Sequence, residues 1–224
     1  MKSFEMIKSD QQLIDFYGAI SEFEDLEKGW AHHNWDHVNH VAHLVEVVLK
    51  ALNYEEDFIE DVKIAALLHD VGAIKGKEGH ALRSYEFAKA YLEEQNINLK
   101  NRDLVLEAIK IHSDGFQSNS VMALTLILCD KLDIKHTRVA KAGYNVVGMR
   151  QLQYIKDISI AIQNQQLKIN FLCDDQIDIP ELEAFYFIHK VFSGIIAFSK
   201  KLDLYPKVFL NNKEWELFTI RYNE

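Results

Sequence analysis

Apolar positions recur at helical spacing through most of this chain. Between Trp35 and Leu52, the side chains of Val41, Leu44, Val45, Val48 and Leu52 share one face, which predicts an amphipathic helix. The segment 10–29 predicts a further amphipathic helix or helix pair. Asp57 and Glu60 are spaced as a capping box for a helix reaching His69, with Gly72 as its stop. Helices are also expected near 81–95, from about 101 to 112 and from 121 to about 139. With two prolines and nine glycines in the chain, few breaks interrupt these runs.

The periodicity changes near residue 150. The stretch IKDISIAIQNQQLKINFLC alternates in two β-branched runs about a polar QNQQ step, the pattern of a β-hairpin. Pro180 then opens an aromatic-rich helix at a favourable first-turn position. KVFLNNKEWELF reads as a short hairpin turning on Asn211-Asn212. The expected architecture is mainly α: a helical bundle over 1–150, with a small α+β extension (hairpin plus helix) over 151–224 packed on it. Phe185, Tyr186, Phe187 and Phe192 are expected to fill the core or a homodimer contact through the extension.

Certain polar residues fall where the apolar stripes predict core. At about 100° per residue, His37 lies on the stripe of Val41, Leu44 and Val48. The pair His69-Asp70 closes a strongly apolar run, Ile64 to Leu68. His112 follows Val105, Ala108 and Ile109, and Asp130 falls on the stripe of Ala123, Leu126 and Ile127. Burying such groups costs several kcal/mol unless they are paired or metal-bound. Four helices thus each end a core stripe in a residue able to ligate a metal. Imidazole and carboxylate together suit Fe, Mn, Zn, Co or Ni rather than thiolate chemistry. His32, His40 and His43 lie off the stripe and are expected to be partly exposed and hydrogen-bonded.

Composition narrows the classes further. With 224 residues, 48% of them hydrophobic, the chain can bury one substantial core. A formal charge of −9 with both signs interleaved argues against a nucleic-acid surface, which needs clustered Lys and Arg. Cys129 and Cys173 are far apart and outside any CxxC spacing, so a disulfide framework is not expected. The charged start MKSFEMIKSDQQ does not read as a signal peptide, and no apolar run approaches the roughly 18 to 20 residues of a membrane span. A soluble cytoplasmic protein is the expectation.

The stretches HNWDHVNHV around His37, AALLHDVG around His69-Asp70 and LILCDKLD around Asp130 resemble the HD superfamily of metal-dependent phosphohydrolases, over roughly residues 30–140. The resemblance implies that His37, His69, Asp70 and Asp130 hold one ion. Binuclear families add two histidines, in slots that His80 and His112 fit, which implies a second ion with Asp70 bridging. HNWDH also resembles the HNxxH element of cyclic-nucleotide phosphodiesterases, which implies His33 as general acid. Lys131, directly after a ligand, is a candidate catalytic phosphate contact, as are Lys75, Lys77 and Arg83. Asp133 is placed to orient a ligand or Lys131.

The segment VGAIKGKEG lacks the acidic residue of deoxynucleoside 5′-monophosphatase relatives, the paired acids of (p)ppGpp hydrolases and the GYP motif of cyclic di-GMP phosphodiesterases. The expected reaction is hydrolysis of a phosphate ester or anhydride of a small metabolite, a nucleotide in the first instance, using one or two divalent ions per chain. Its rivals are a di-iron oxygenase on the same ligand frame and a metal-stabilised regulatory module without turnover.

Overall fold

The chain is described by a computed structural model covering residues 3–27 and 29–223. A short helix α1 (Ser3–Lys8) precedes α2 (Gln11–Leu26), whose first turn is capped by the Asp10 carboxylate accepting from Gln12 N–H. The helix expected over 10–29 is therefore α2, and Lys28 lies outside the described residues. Asn34 caps α3 (Trp35–Ala51), and its side chain accepts from the backbone N–H of His37. The α3 stripe of His37, Val41, Leu44, Val45 and Val48 is buried as its spacing predicts, whereas Leu52 caps the helix end and is half-buried.

Helix α4 (Glu56–Leu68) packs on α3, and every residue from Ile64 to Leu68 is buried. The capping box expected at its start does not form: Glu55 is the cap and contributes no side-chain bond. Glu60 instead accepts from Phe4 N–H at 3.1 Å and ties α1 to the bundle. A 3-10 turn (Val71–Lys75) leads to α5 (His80–Glu94) and α6 (Arg102–Ile111). Gly72 does not stop α4, which ends at Leu68. Its role is close approach, because a Cβ there would lie 2.3 Å from the His80 carbonyl oxygen.

Helix α7 (Val121–Leu132) is buried at every position after its first, so it runs through the middle of the bundle against α3, α4 and α6. It stops at Leu132 rather than near 139. Asp133 leaves helical backbone geometry there, and its carboxylate turns to His37.

The C-terminal part builds a sheet of order β1-β2-β3-β4. Strands β1 (Ile155–Gln163) and β2 (Gln166–Cys173) form the expected hairpin. Its turn residues Asn164 and Gln165 both have positive φ, the geometry that matches strand twist in a two-residue loop. After α8 (Ile179–Ala184) and α9 (Tyr186–Lys201), β3 (Tyr205–Leu210) returns parallel to β2. It then turns on Asn211-Asn212, also at positive φ, into β4 (Lys213–Glu214), followed by α10 (Glu216–Asn223).

The single helix expected from Pro180 breaks at Phe185, whose backbone is extended. Phe192 is core, ring against ring with Trp215 and Phe218. Helix α9 packs along α7, where Gly194 lies against Ile127 and Leu128. No helix among the described residues is long and apolar enough to cross a membrane, and both cysteines are free and buried.

Candidate metal centre

The bundle delivers one polar side chain from each of several elements to a common point. His37 comes from the first turn of α3, and His69 and Asp70 from the end of α4. His80 opens α5, His112 caps the end of α6, and Asp130 lies in the last turn of α7. All six are buried. His37, His69, Asp70 and Asp130 offer ligand atoms that lie within 4.8 Å of one another, and so do Asp70, His80 and His112. These two groups could each hold a metal ion, with Asp70 shared.

The Asp70 carboxylate divides the set. Its Oδ2 lies 3.2 Å from His37 Nε2 and 3.1 Å from His69 Nε2, whereas its Oδ1 lies 3.2 Å from His80 Nε2 and 3.3 Å from His112 Nε2. Asp130 Oδ1 closes the first group, 3.4 Å from His37 Nε2 and 3.7 Å from His69 Nε2.

The second nitrogen of each imidazole fixes its tautomer. Nδ1 of His69 bonds the Ala66 carbonyl at 2.7 Å, Nδ1 of His80 the Lys77 carbonyl at 2.6 Å, and Nδ1 of His112 the Ile109 carbonyl at 2.8 Å. A carbonyl only accepts, so each Nδ1 carries a proton, and Nε2 is the atom each ring turns inward to bind a metal. His37 follows suit with Nδ1 2.7 Å from Asp133 Oδ2. His37 Nε2, His69 Nε2 and Asp70 Oδ2 are buried without a hydrogen-bond partner, and the Nε2 atoms of His80 and His112 face each other at 2.9 Å. Converging lone pairs and carboxylate oxygens repel unless positive charge lies among them, and outer partners on Nδ1 are the usual support of histidine ligands. The donor set fits a divalent ion of borderline character.

Electrostatics agree. Burial would lower the His69 pKa, but the charge of Asp70 and the nearby Asp130 carboxylate raise it to about 10. Burial and Arg138 would lower that of His37, yet Asp130, Asp133 and Asp70 raise it. The carboxyls of Asp70 and Asp130, despite burial, are held well below the usual range, Asp70 by the imidazoles around it and Asp130 by Lys131 and then by His37 and His69. The two carboxylates attract positive charge onto the inward nitrogens, and protons and metal ions compete for those atoms. His112, where burial prevails, falls to about 4 and offers a free lone pair at neutral pH.

His33 stands beside the cluster, not in it, with its ring 6.2 Å from those of His37 and His80. Both oxygens of the buried Glu24 carboxylate are committed to it. Oε2 accepts from the His33 backbone N–H at 2.8 Å, and Oε1 meets Nδ1 in a very short contact. Burial raises the Glu24 pKa to about 7 and lowers that of His33. Lys131 is buried and donates to Asp130 Oδ2 at 2.5 Å, so it orients that carboxylate while also lining the pocket above the cluster.

Lys77, Arg138 and Lys190 line the same pocket. Desolvation of its ammonium lowers the Lys77 pKa, and Lys131 lowers it further, although much of the side chain is exposed. Arg83 does not line that pocket: its guanidinium donates to the carbonyls of Gly72, Gly76 and Glu78 and clamps the loop after Asp70. Lys75 is exposed and does not line that pocket.

Sequence reasoning missed Glu24 and Arg138. Arg138 is buried, donates to the His32 carbonyl, and reaches the site because Val139 bridges Ala31. No stripe or motif marks either residue: Glu24 pairs with His33 across the turn between α2 and α3, and Arg138 pairs with a residue distant in sequence.

Residues 34–135 match the family model of the HD domain, a span that begins at the α3 cap and ends just past Asp133. No curated protein matches the chain.

Proposed function

Since residues 34–135 of this chain are an HD domain, we propose that the protein is a metal-dependent phosphohydrolase acting on a phosphate ester or anhydride of a small metabolite. One ion would be held by His37, His69, Asp70 and Asp130, and a second by Asp70, His80 and His112. The observation that carries this reading is the set of inward Nε2 atoms divided between the two oxygens of Asp70. A divalent ion bound there supplies Lewis acidity toward water and phosphoryl oxygen.

The chain's own residues supply the rest. Lys77, Lys131 and Arg138 border the pocket and favour the charge that spreads over the phosphoryl oxygens during transfer. That cationic rim supports phosphate hydrolysis over oxygen activation on the same frame. His33 is the proton donor to the leaving oxygen. With Glu24 protonated and bonded to Nδ1, a neutral His33 carries its proton on Nε2, and the carboxyl can refill Nδ1 as Nε2 gives its proton up. Asp133 and Lys131 position His37 and Asp130.

The test is metal content together with phosphate release from a panel of monoesters, under Mn and Fe loading. His69→Ala and Asp70→Ala are expected to abolish release, and His80→Ala and His112→Ala to remove one ion of two. Loaded protein that releases no phosphate from any ester, while consuming oxygen with an iron-dependent spectrum, would overturn the reading.

A further inference from the structure

The pocket directly over the ligand cluster is small, about 30 Å³. It suits a phosphoryl group, so the remainder of a metabolite has to lie elsewhere. A second cavity of about 370 Å³ adjoins it, and His33, Lys77, Arg138 and Phe187 border both. The wall of this cavity is built by Phe23, Trp30, Ile134, Met149, Leu152 and Phe185, all but Ile134 from outside the matched family segment.

Its charged groups His33, Lys77 and Arg138 lie at the shared edge, and away from that edge the Trp30 N–H and the Tyr186 hydroxyl are its polar groups besides two carboxylates. Glu24 is committed to His33, and the outlying Glu27 is solvent-exposed. Among the described lining residues there is no Asn, Gln, Ser or Thr. The neighbouring backbone is also engaged: Gly29 N–H bonds the Glu24 carbonyl, the Trp30 carbonyl accepts from Ala140 N–H, and His32 N–H bonds the Arg138 carbonyl. A site that reads a base or sugar surrounds it with hydrogen-bonding groups, whereas most of this wall is apolar.

We infer that the substrate is a phosphate monoester of an apolar alcohol, whose hydrocarbon part lies in this cavity while its phosphate meets Lys77 and Arg138. The inference rests on the phosphohydrolase reading and names its substrate class. In the reaction, the water oxygen joins phosphorus and releases a proton to solvent while the bond from phosphorus to the alcohol oxygen breaks. The leaving alcohol takes the proton of His33 Nε2, and solvent returns it.

The experiment compares methyl, butyl and octyl phosphate with glycerol phosphate and a nucleoside monophosphate, using metal-loaded full-length protein. The alkyl alcohols have similar acidity, so a rate difference among them reports binding and not leaving-group chemistry. kcat/KM is expected to rise on the order of 10- to 100-fold from butyl to octyl, with glycerol phosphate and the nucleotide below octyl. Calorimetry with butyl- and octylphosphonate, which are not hydrolysed, should show the same preference in Kd.

Trp30 is 46% exposed and can be changed without opening the core. Trp30→Gln should shrink the octyl-to-butyl ratio severalfold. Phosphate release without chain-length dependence, or with the nucleotide preferred, would overturn the inference and leave the phosphohydrolase reading standing. No release from any ester, together with equal affinity for the two phosphonates, would overturn both.

Discussion

His37 depends on a single outer contact, the 2.7 Å bond from its Nδ1 to Asp133. Removing the acceptor frees the ring to rotate or change tautomer, so Asp133→Ala should weaken metal binding by about 10- to 100-fold. Asp133→Asn keeps an acceptor and should recover much of it. Competition against a chromogenic chelator measures both, and equal affinity for Asp133→Ala and the parent chain would rule the coupling out.

Glu24 offers a second test. Its pKa lies at about 7 in the fold against an ordinary 4.5, so the folded protein holds more protons across that window. Its contribution to stability is fully present below about pH 4.5 and lost as pH rises through 7, on the order of 3 kcal/mol. Glu24→Gln should therefore gain stability relative to the parent chain as pH rises from 4.5 to 7.5 in urea unfolding. A constant difference across that range would contradict the assignment. At this scale the ligand-bearing residues were legible because an imidazole or carboxylate on a core stripe is anomalous. Glu24 and Arg138 were not, because their meaning lies in pairings with His33 and the 31–139 bridge.

Between elements, the spacing of the bundle decides whether the ligands meet. Gly72 lets the turn after Asp70 press against the start of α5, and an added Cβ would meet His80 O at 2.3 Å and Ser84 N at 2.6 Å, both backbone atoms. Gly72→Ala should thus cost about 1 to 3 kcal/mol, lowering Tm by roughly 2 to 12 °C in a chain of this size. It should also loosen the second ion before the first, since His80 moves and His69 does not. Thermal melts with ion counts check both outcomes. Helix positions were readable from apolar spacing, whereas ends were less so: Asp133 terminates α7 early because its carboxylate is drawn to α3. The hairpins were readable from their turn residues. The parallel pairing of β2 with β3 was not, because nothing in local alternation specifies a partner some forty residues away.

For the molecule as a whole, ions shared by α3, α4, α5, α6 and α7 would bind the folded chain and not the unfolded one. At an ion concentration of about 1,000 times Kd this adds roughly 4 kcal/mol. Chelator-treated protein is expected to melt on the order of 10 °C below the loaded form, and identical melting curves would count against ion binding by the cluster.

The placement of Phe187 has a consequence for biosynthesis. Asp130 completes the ligand set, and Phe187 follows it by 57 residues. At a translation rate of about 5 to 20 residues per second, the ring that borders both cavities leaves the ribosome roughly 3 to 11 s after the last carboxylate. A nascent chain therefore has an interval in which ions can reach the ligand cradle from the open side, before the aromatic wall arrives. Ions reaching the finished chain would instead pass through the pocket that Phe187 borders together with Lys77 and Lys190.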